Sequence, residues 1–263
     1  MKAFPPDGPM PADGPNVIPA ATVVIFRDDP HGGAPQLLMV QRAEDMRFAG
    51  GAAVFPGGRV DPADRVLAAD LIPDEEPELA AARIAAIRET LEETGLMIAT
   101  REPVDAQEAR EGRAMLLETG TLAPVLGRMG WKLAPERIVP FAHWCPDWEG
   151  AFDTRFFLAN LGTGAVEIAV DRTENTRLFW TSAARALEAA DAGEISVIFP
   201  TRRNLERLAL FANYDQATRH AQQYPMRRIT PYQEDRDGES WLLIPEDHGY
   251  PMRGQTFASV KRG

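Results

Sequence analysis

Hydrophobic residues fall along this chain in two rhythms, one extended and one helical. Ala20–Phe26 is an apolar, β-branched run of the kind that fills a buried strand. Gly32, Gly33 and Pro35 break it, and Gln36–Arg42 reads as the next strand of a hairpin. Ala52–Phe55 is short and apolar and runs into Pro56-Gly57-Gly58, where the backbone is expected to turn. The segment 61–77 is acidic, carries prolines at 62, 73 and 77, and reads as a surface insertion. Over Glu78–Thr94 apolar residues recur at helical spacing, and Gly95 supplies the stop. Leu96–Ala99 reads as a strand.

Further on, Asp105–Thr119 and Leu122–Met129 are predicted helices, and Ile138–Trp144, Arg155–Ala159 and Arg177–Thr181 predicted strands. Ala183–Ala192 reads as a helix ended by Gly193, and Thr201–Tyr224 as one long amphipathic helix. From Pro225 the chain reads as irregular, with a strand at Trp241–Ile244. Strands flanking a central helix, with more helix behind, predict a mixed α/β sandwich. The proline-, glycine- and aspartate-rich start, 1–17, reads as a flexible tail; 18–200 forms the main domain and 201–263 a helical extension packed on it.

Composition narrows the chemistry. The 263 residues carry a formal net charge of -11, which repels a phosphate backbone at long range and argues against nucleic acid as a partner. Cys145 is the single cysteine, so there is no internal disulfide and no zinc motif of paired cysteines, and it is expected to be a packed thiol. His31, His143, His220 and His248 are scattered away from metal-ligand spacing. No apolar run reaches membrane-spanning length. A cytoplasmic location and no membrane partner are the expectations.

The segment Arg88-Glu89-Thr90-Leu91-Glu92-Glu93 carries the strongest chemical signal. On a helix, Glu89 and Glu93 stack on one face and Glu92 borders it. Like charges at this spacing cost roughly 0.2–0.5 kcal/mol per pair. A hard divalent cation offsets that cost, since Mg²⁺ favours a few carboxylates plus water and phosphate oxygens. Taken alone, such a cluster is more often a solvated acidic face. The upstream Phe55-Pro56-Gly57-Gly58 changes the balance, because paired glycines let backbone approach a ligand closely. Arg88 can hold a neighbouring carboxylate in a bidentate pair.

Together these residues resemble the box of the Nudix hydrolases, G-x5-E-x7-R-E-U-x-E-E-x-G-U, where U is apolar. Gly58 matches its first glycine; Arg88, Glu89, Glu92, Glu93, Gly95 and Leu96 match its second half. Thr90 stands where an aliphatic residue is usual. The pattern separates glycine and arginine by 13 residues, whereas 29 stand between Gly58 and Arg88. The box thus spans 58–96 with an insertion at 61–77, and its first glutamate is unassigned: Asp64 sits at the nominal distance, Glu78 nearest the helix.

The resemblance implies a Nudix α/β/α sandwich with a mixed sheet, helical insertions and a C-terminal helical extension. It implies Mg²⁺ or Mn²⁺ held by Glu89 and Glu93. Glu92 is then a ligand or base, the Gly58 carbonyl a further donor, and Arg88 an orienting residue. The reaction implied is attack of water on a diphosphate.

A second resemblance, to the coenzyme A diphosphatases of that family, rests on Leu37, Leu38, Arg42, Arg47, Gly51 and Phe55-Pro56-Gly57-Gly58. Phe152-Asp153-Thr154-Arg155-Phe156-Phe157 and Pro200-Thr201…Leu205-Glu206 are similar to the peroxisomal acyl-CoA branch and its bacterial relatives. It implies hydrolysis of coenzyme A or acyl-CoA, with Arg42, Arg47, Phe55 and Arg155 as substrate-binding candidates and Glu174 as a loop acid near the metal. A nucleoside diphosphate of the CoA kind is the expected partner, and a homodimer stays open. Two rivals stand beside this reading: a Nudix hydrolase of ADP-ribose, NADH or another nucleoside diphosphate derivative, and a non-catalytic Nudix ligand-sensing module.

Overall fold

The computed structural model describes residues 16–44, 49–161 and 175–260. In chain order they form β1 (Ile18–Arg27), β2 (Gln36–Arg42), β3 (Ala53–Val54), β4 (Gly57–Arg59), α1 (Pro62–Leu71), α2 (Pro77–Thr94), α3 (Ala106–Thr119) and α4 (Leu122–Met129). Then come β5 (Val139–Trp144), β6 (Phe152–Asn160), β7 (Asn175–Thr181), α5 (Ala183–Asp191), α6 (Phe199–Leu208) and α7 (Tyr214–Gln223). The chain closes with β8 (Arg228–Ile229), β9 (Tyr232–Arg236), β10 (Glu239–Leu243), β11 (Gly254–Thr256) and α8 (Phe257–Val260).

The main sheet is mixed and runs β3-β2-β1-β6-β5-β8, with β4 added to β1 and β7 to β2. Its spine is the parallel pairing of β1 with β6, in register from Ile18↔Phe152 to Phe26↔Asn160. Successive β1 side chains point to opposite faces, which builds two cores. Ala21, Val23 and Ile25 pack with α2 and with Leu116, Leu122 and Val125 of α3 and α4 on one face. Val24 and Phe26 pack with Ala183, Leu205 and Ala217 of α5, α6 and α7 on the other. This is the α/β/α sandwich expected from the sequence.

The other edge of β1 is shared. β2 pairs with its end at Phe26 and Arg27, β4 with its start at Ala20–Thr22. The sheet forks between these partners, and the last turns of α2 lie over the fork.

Several elements differ from the sequence reading, each for a local reason. Gly57 and Gly58 do not simply turn; they pair with Thr22 and Ala21 as a short strand. The insertion 61–77 is largely helical: Pro62 occupies the first turn, where its missing N–H costs nothing, and Asp61 and Asp64 form a capping box. Among the described residues Leu96–Ala99 pairs with no strand: Leu96 and Ile98 are buried, Ala99 takes a left-handed φ of 54°, and an isolated bridge Thr100↔Leu133 follows.

The expected helix 201–224 is two helices. The chain leaves α6 so that Phe211 is buried in the second core, and Asn213 starts α7 by accepting from the Gln216 N–H at 2.9 Å. Beyond Pro225 the chain is more regular than expected, with a small antiparallel sheet ordered β11-β10-β9. Tyr250 ties this region to the main sheet: its hydroxyl donates to Asn204 Oδ1 at 2.6 Å and accepts from Trp144 Nε1 at 3.1 Å. No helix among the described residues is long and apolar enough to cross a membrane.

Candidate active site

The site is built where α2 ends over the fork. Gly95, at φ 74°, stops the helix and donates its N–H to Leu91 O at 3.0 Å. Thr90, at the position where an aliphatic residue was expected, is fully buried because its hydroxyl donates to the Ala86 carbonyl at 2.7 Å. Glu89, Glu92 and Glu93 therefore stand in the last two turns, toward the negative end of the helix dipole, where carboxylates are unfavourable.

Two of the three acids meet the two glycines. The Glu93 carboxylate accepts from the Gly57 N–H at 2.9 Å. The Glu89 carboxylate lies so close to Gly58 that a Cβ there would overlap it. Glu92 is turned outward and is 36% exposed. Burial, reinforced by Glu93 and Glu92 and opposed by Arg88, pushes the Glu89 carboxyl up to about 8. Arg88 alone does not offset the burial and the two neighbouring acids.

Arg88 is the hub beneath the acids. Its Nε lies 3.0 Å from Asp64 Oδ1 and its Nη2 3.0 Å from Asp64 Oδ2, with Nη2 also donating to Arg59 O at 2.8 Å. Its Nη1 reaches Glu89 Oε1 at 2.9 Å and Glu92 Oε2 at 3.3 Å. Burial alone would lower the guanidinium pKa, but the Asp64 hydrogen bonds and the neighbouring Glu89 more than offset it and hold Arg88 charged. Of the two acids weighed for the first glutamate of the box, Asp64 is the one paired with Arg88. Glu78, the other candidate, pairs with Arg65.

The remaining candidates are distributed unevenly. Arg42 closes β2 with its Nε buried and without a hydrogen-bond partner among the described residues. Arg155 lies on β6 and donates from Nη1 to Asp153 Oδ2 at 3.2 Å, while His143 holds the other Asp153 oxygen. Phe55 is 2% exposed and packed in the second core, so its ring is walled off from a ligand and supports the sheet instead. Arg47 and Glu174 lie outside the described residues. Asn175, not foreseen from the sequence, is buried beside the acids, its Nδ2 donating to Glu93 Oε1 at 3.1 Å. A neutral amide carries no charge or spacing signal to single it out.

Among the described residues no three acid, imidazole or thiol side chains converge as a finished coordination sphere. The donor set nonetheless suits a hard cation. Glu89 and Glu93 offer carboxylate oxygens from one helix face beside a glycine cradle.

The crystal structure of a NUDIX hydrolase from Alicyclobacillus acidocaldarius superposes with a TM-score of 0.66 at 28% identity, over 78% of this chain and 96% of that one. The chain has the Nudix fold. That neighbour supports a place in the Nudix family. No family model matches the chain. Weaker likenesses, with TM-scores of 0.40 and 0.36, join this Nudix-fold chain to the NUDIX domain of Shewanella oneidensis NrtR complexed with ADP ribose and to an Ap4A hydrolase binary complex from C. elegans. Their identities are 15% and 18%, over 74% and 66% of this chain and 88% and 86% of theirs. Within that fold, Glu89 and Glu93 of α2 lie against the Gly57-Gly58 strand, and Glu92 is turned outward.

Proposed function

We propose that the protein is a metal-dependent diphosphatase that splits coenzyme A or an acyl-CoA into 3′,5′-ADP and (acyl-)4′-phosphopantetheine. The observation that carries this reading is the burial of the Glu89 and Glu93 carboxylates against Gly58 and Gly57. Mg²⁺ or Mn²⁺ bound there would neutralise charge on the phosphoryl oxygens and lower the pKa of a water. Glu89 and Glu93 would hold it, with Glu92 as the exposed third acid and the Gly58 carbonyl as a further donor.

Each remaining residue has a defined task. Water adds to one phosphorus, the P–O bond to the other phosphate breaks, and the proton that water loses passes to a carboxylate or solvent. Arg88, anchored on Asp64, orients Glu89 and Glu92 and does not touch substrate. Arg42, Arg47 and Arg155 supply cations for a substrate with more than one anionic group. Glu174 is the loop acid nearest Asn175 in sequence. The substrate choice is supported by the Leu37–Gly58 motif.

The test is a substrate panel of coenzyme A, acyl-CoA, ADP-ribose and NADH with Mg²⁺ and Mn²⁺, with products identified by mass. The expected result is 3′,5′-ADP from coenzyme A, abolished by chelator and reduced by two orders of magnitude or more, about 3 kcal/mol of barrier, in Glu93→Gln. Preferential cleavage of ADP-ribose would replace the substrate. Tight binding without cleavage of any member would replace the enzyme with a sensor.

A further inference from the structure

Asn175 is the first residue of β7 and is 1% exposed. Its amide nitrogen is spent on Glu93, at 3.1 Å. Its Oδ1 is buried without a hydrogen-bond partner among the described residues. Across the ladder stands Arg42, whose Nε is likewise buried and without a partner among the described residues. Two orphan polar atoms, a donor and an acceptor, thus sit on one cross-strand pair beside an acid of the site. Buried polar groups in native proteins are satisfied, so such a pair points to a missing partner.

The strand is shaped to put them there. Along β7, Leu178 and Trp180 face α2, packing against the first core, and Phe179 faces the second. Strict alternation would send Asn175 to the face of Phe179 and Arg177. Instead the register shifts, from Gln41↔Arg177 to Arg42↔Asn175, leaving Thr176 as the extra residue of a bulge. The Thr176 hydroxyl stabilises it by donating to Gln41 O at 3.2 Å. A bulge of one residue reverses the facing of what precedes it. Asn175 is thereby turned to the α2 face, where Glu93 and Arg42 already point.

We propose that Asn175 is a positioning residue of the site: its Nδ2 fixes the Glu93 carboxylate, and its Oδ1, with Arg42 Nε, holds a water molecule beside that carboxylate. Nε–H only donates and Oδ1 only accepts. The group between them must therefore accept from one and donate to the other, which a water does with a proton to spare for Glu93. The inference rests on the metal-dependent reading of the site and adds a residue from outside the helix that carries the acids.

The test uses the full chain and its Asn175→Ala and Asn175→Ser variants. Mn²⁺ affinity is read by electron paramagnetic resonance without substrate, kcat and KM with coenzyme A, and folding by thermal melts. Loss of an outer partner of a ligand costs roughly 10–100-fold in metal affinity or activity. Asn175→Ala is therefore expected to weaken Mn²⁺ binding by that factor and to lower kcat, with KM nearly unchanged. Asn175→Ser, whose hydroxyl can both donate and accept, should recover part of both.

Melting lowered with Mn²⁺ affinity and kcat at wild-type values would leave Asn175 a structural residue and overturn the proposal. If Asn175→Ala does not fold, Asn175→Leu, of similar shape but able neither to donate nor to accept, takes its place, and wild-type Mn²⁺ affinity and kcat in that variant overturn the proposal equally. A crystal structure showing no water between Arg42 Nε and Asn175 Oδ1 would remove the water-holding part. A wild-type chain that binds no Mn²⁺ and cleaves nothing would instead sink the underlying reading, so the two failures are separable.

Discussion

The carboxylate of Asp64 grips the guanidinium of Arg88 with both oxygens, at 3.0 Å from Nε and 3.0 Å from Nη2, and the Asp64 side chain is 2% exposed. Removing one partner of such a buried pair leaves the other charge uncompensated and costs about 3–5 kcal/mol. Arg88 has Glu89 and Glu92 within reach of Nη1, so the lower end of that range applies. Asp64→Ala should lower the melting temperature by roughly 6–12 °C for a chain of this size. The freed guanidinium should then lean onto Glu89 and Glu92 and weaken divalent-metal binding. Urea unfolding and a Mn²⁺ titration check both parts; a variant within 1 °C of wild type would mean that the pair contributes little.

Adjacent glycines answer to different neighbours. A Cβ on Gly58 would meet the Glu89 carboxylate, the mobile end of a side chain, whereas a Cβ on Gly57 would meet the Ala21 carbonyl and Thr22 Cα, which are strand backbone. Gly58→Ala should therefore fold nearly normally yet lose Mn²⁺ affinity tenfold or more, as expected when ligand geometry is disturbed. Gly57→Ala should cost about 1–3 kcal/mol in stability, the usual cost of overpacking. Paired melts and Mn²⁺ titrations decide. Wild-type metal affinity in Gly58→Ala would show that the Glu89 position is not critical.

The residues most legible in the sequence were those whose roles depend on local spacing. The acids of α2 and Gly95 could be placed because helical period and a left-handed stop are local properties. The strands β1, β2, β5 and β6 could be placed because their apolar runs are. Asp64 stayed ambiguous because its partner, Arg88, is 24 residues away and the proline-rich segment masked a helix. Asn175 was invisible because a bulge, set by strand register against β2, decides its facing. The break in 201–224 turned on a buried phenylalanine and an asparagine cap that amphipathic periodicity alone does not reveal.

Cys145 is a free, buried thiol whose pKa is pushed from 9.0 up to about 11, first by burial and then by the charge of Asp153. The thiolate is the reactive form. A two-unit rise cuts its fraction about a hundredfold near pH 8, before burial slows access further. Alkylation by iodoacetamide should be at least about 100-fold slower in the native chain than in urea. For stability the sign follows from proton counts. Between pH 9 and 11 the unfolded thiol loses its proton first, so this group makes the fold less stable as pH rises through that window and has no effect below it. Rapid native labelling at pH 8 would contradict the assignment.

Arg155 offers the sharpest test of substrate identity. It is in register with Ala21, which is in register with Gly58, so Arg155 and the Glu89 cradle share one row and one face of the sheet. Two strand spacings separate them, about 9–10 Å. Coenzyme A carries a 3′-phosphate in addition to its diphosphate, and dephospho-coenzyme A lacks it. If Arg155 meets that second anion, Arg155→Ala should lower kcat/KM for coenzyme A by about 10–100-fold, the range of a charged hydrogen bond. The value for dephospho-coenzyme A should stay nearly constant. His143 still holds Asp153 in the variant, so that acid is not stranded. An equal fall for both substrates, accompanied by a lower melting temperature, would mean that Arg155 serves only to brace Asp153 and that the second anion binds elsewhere.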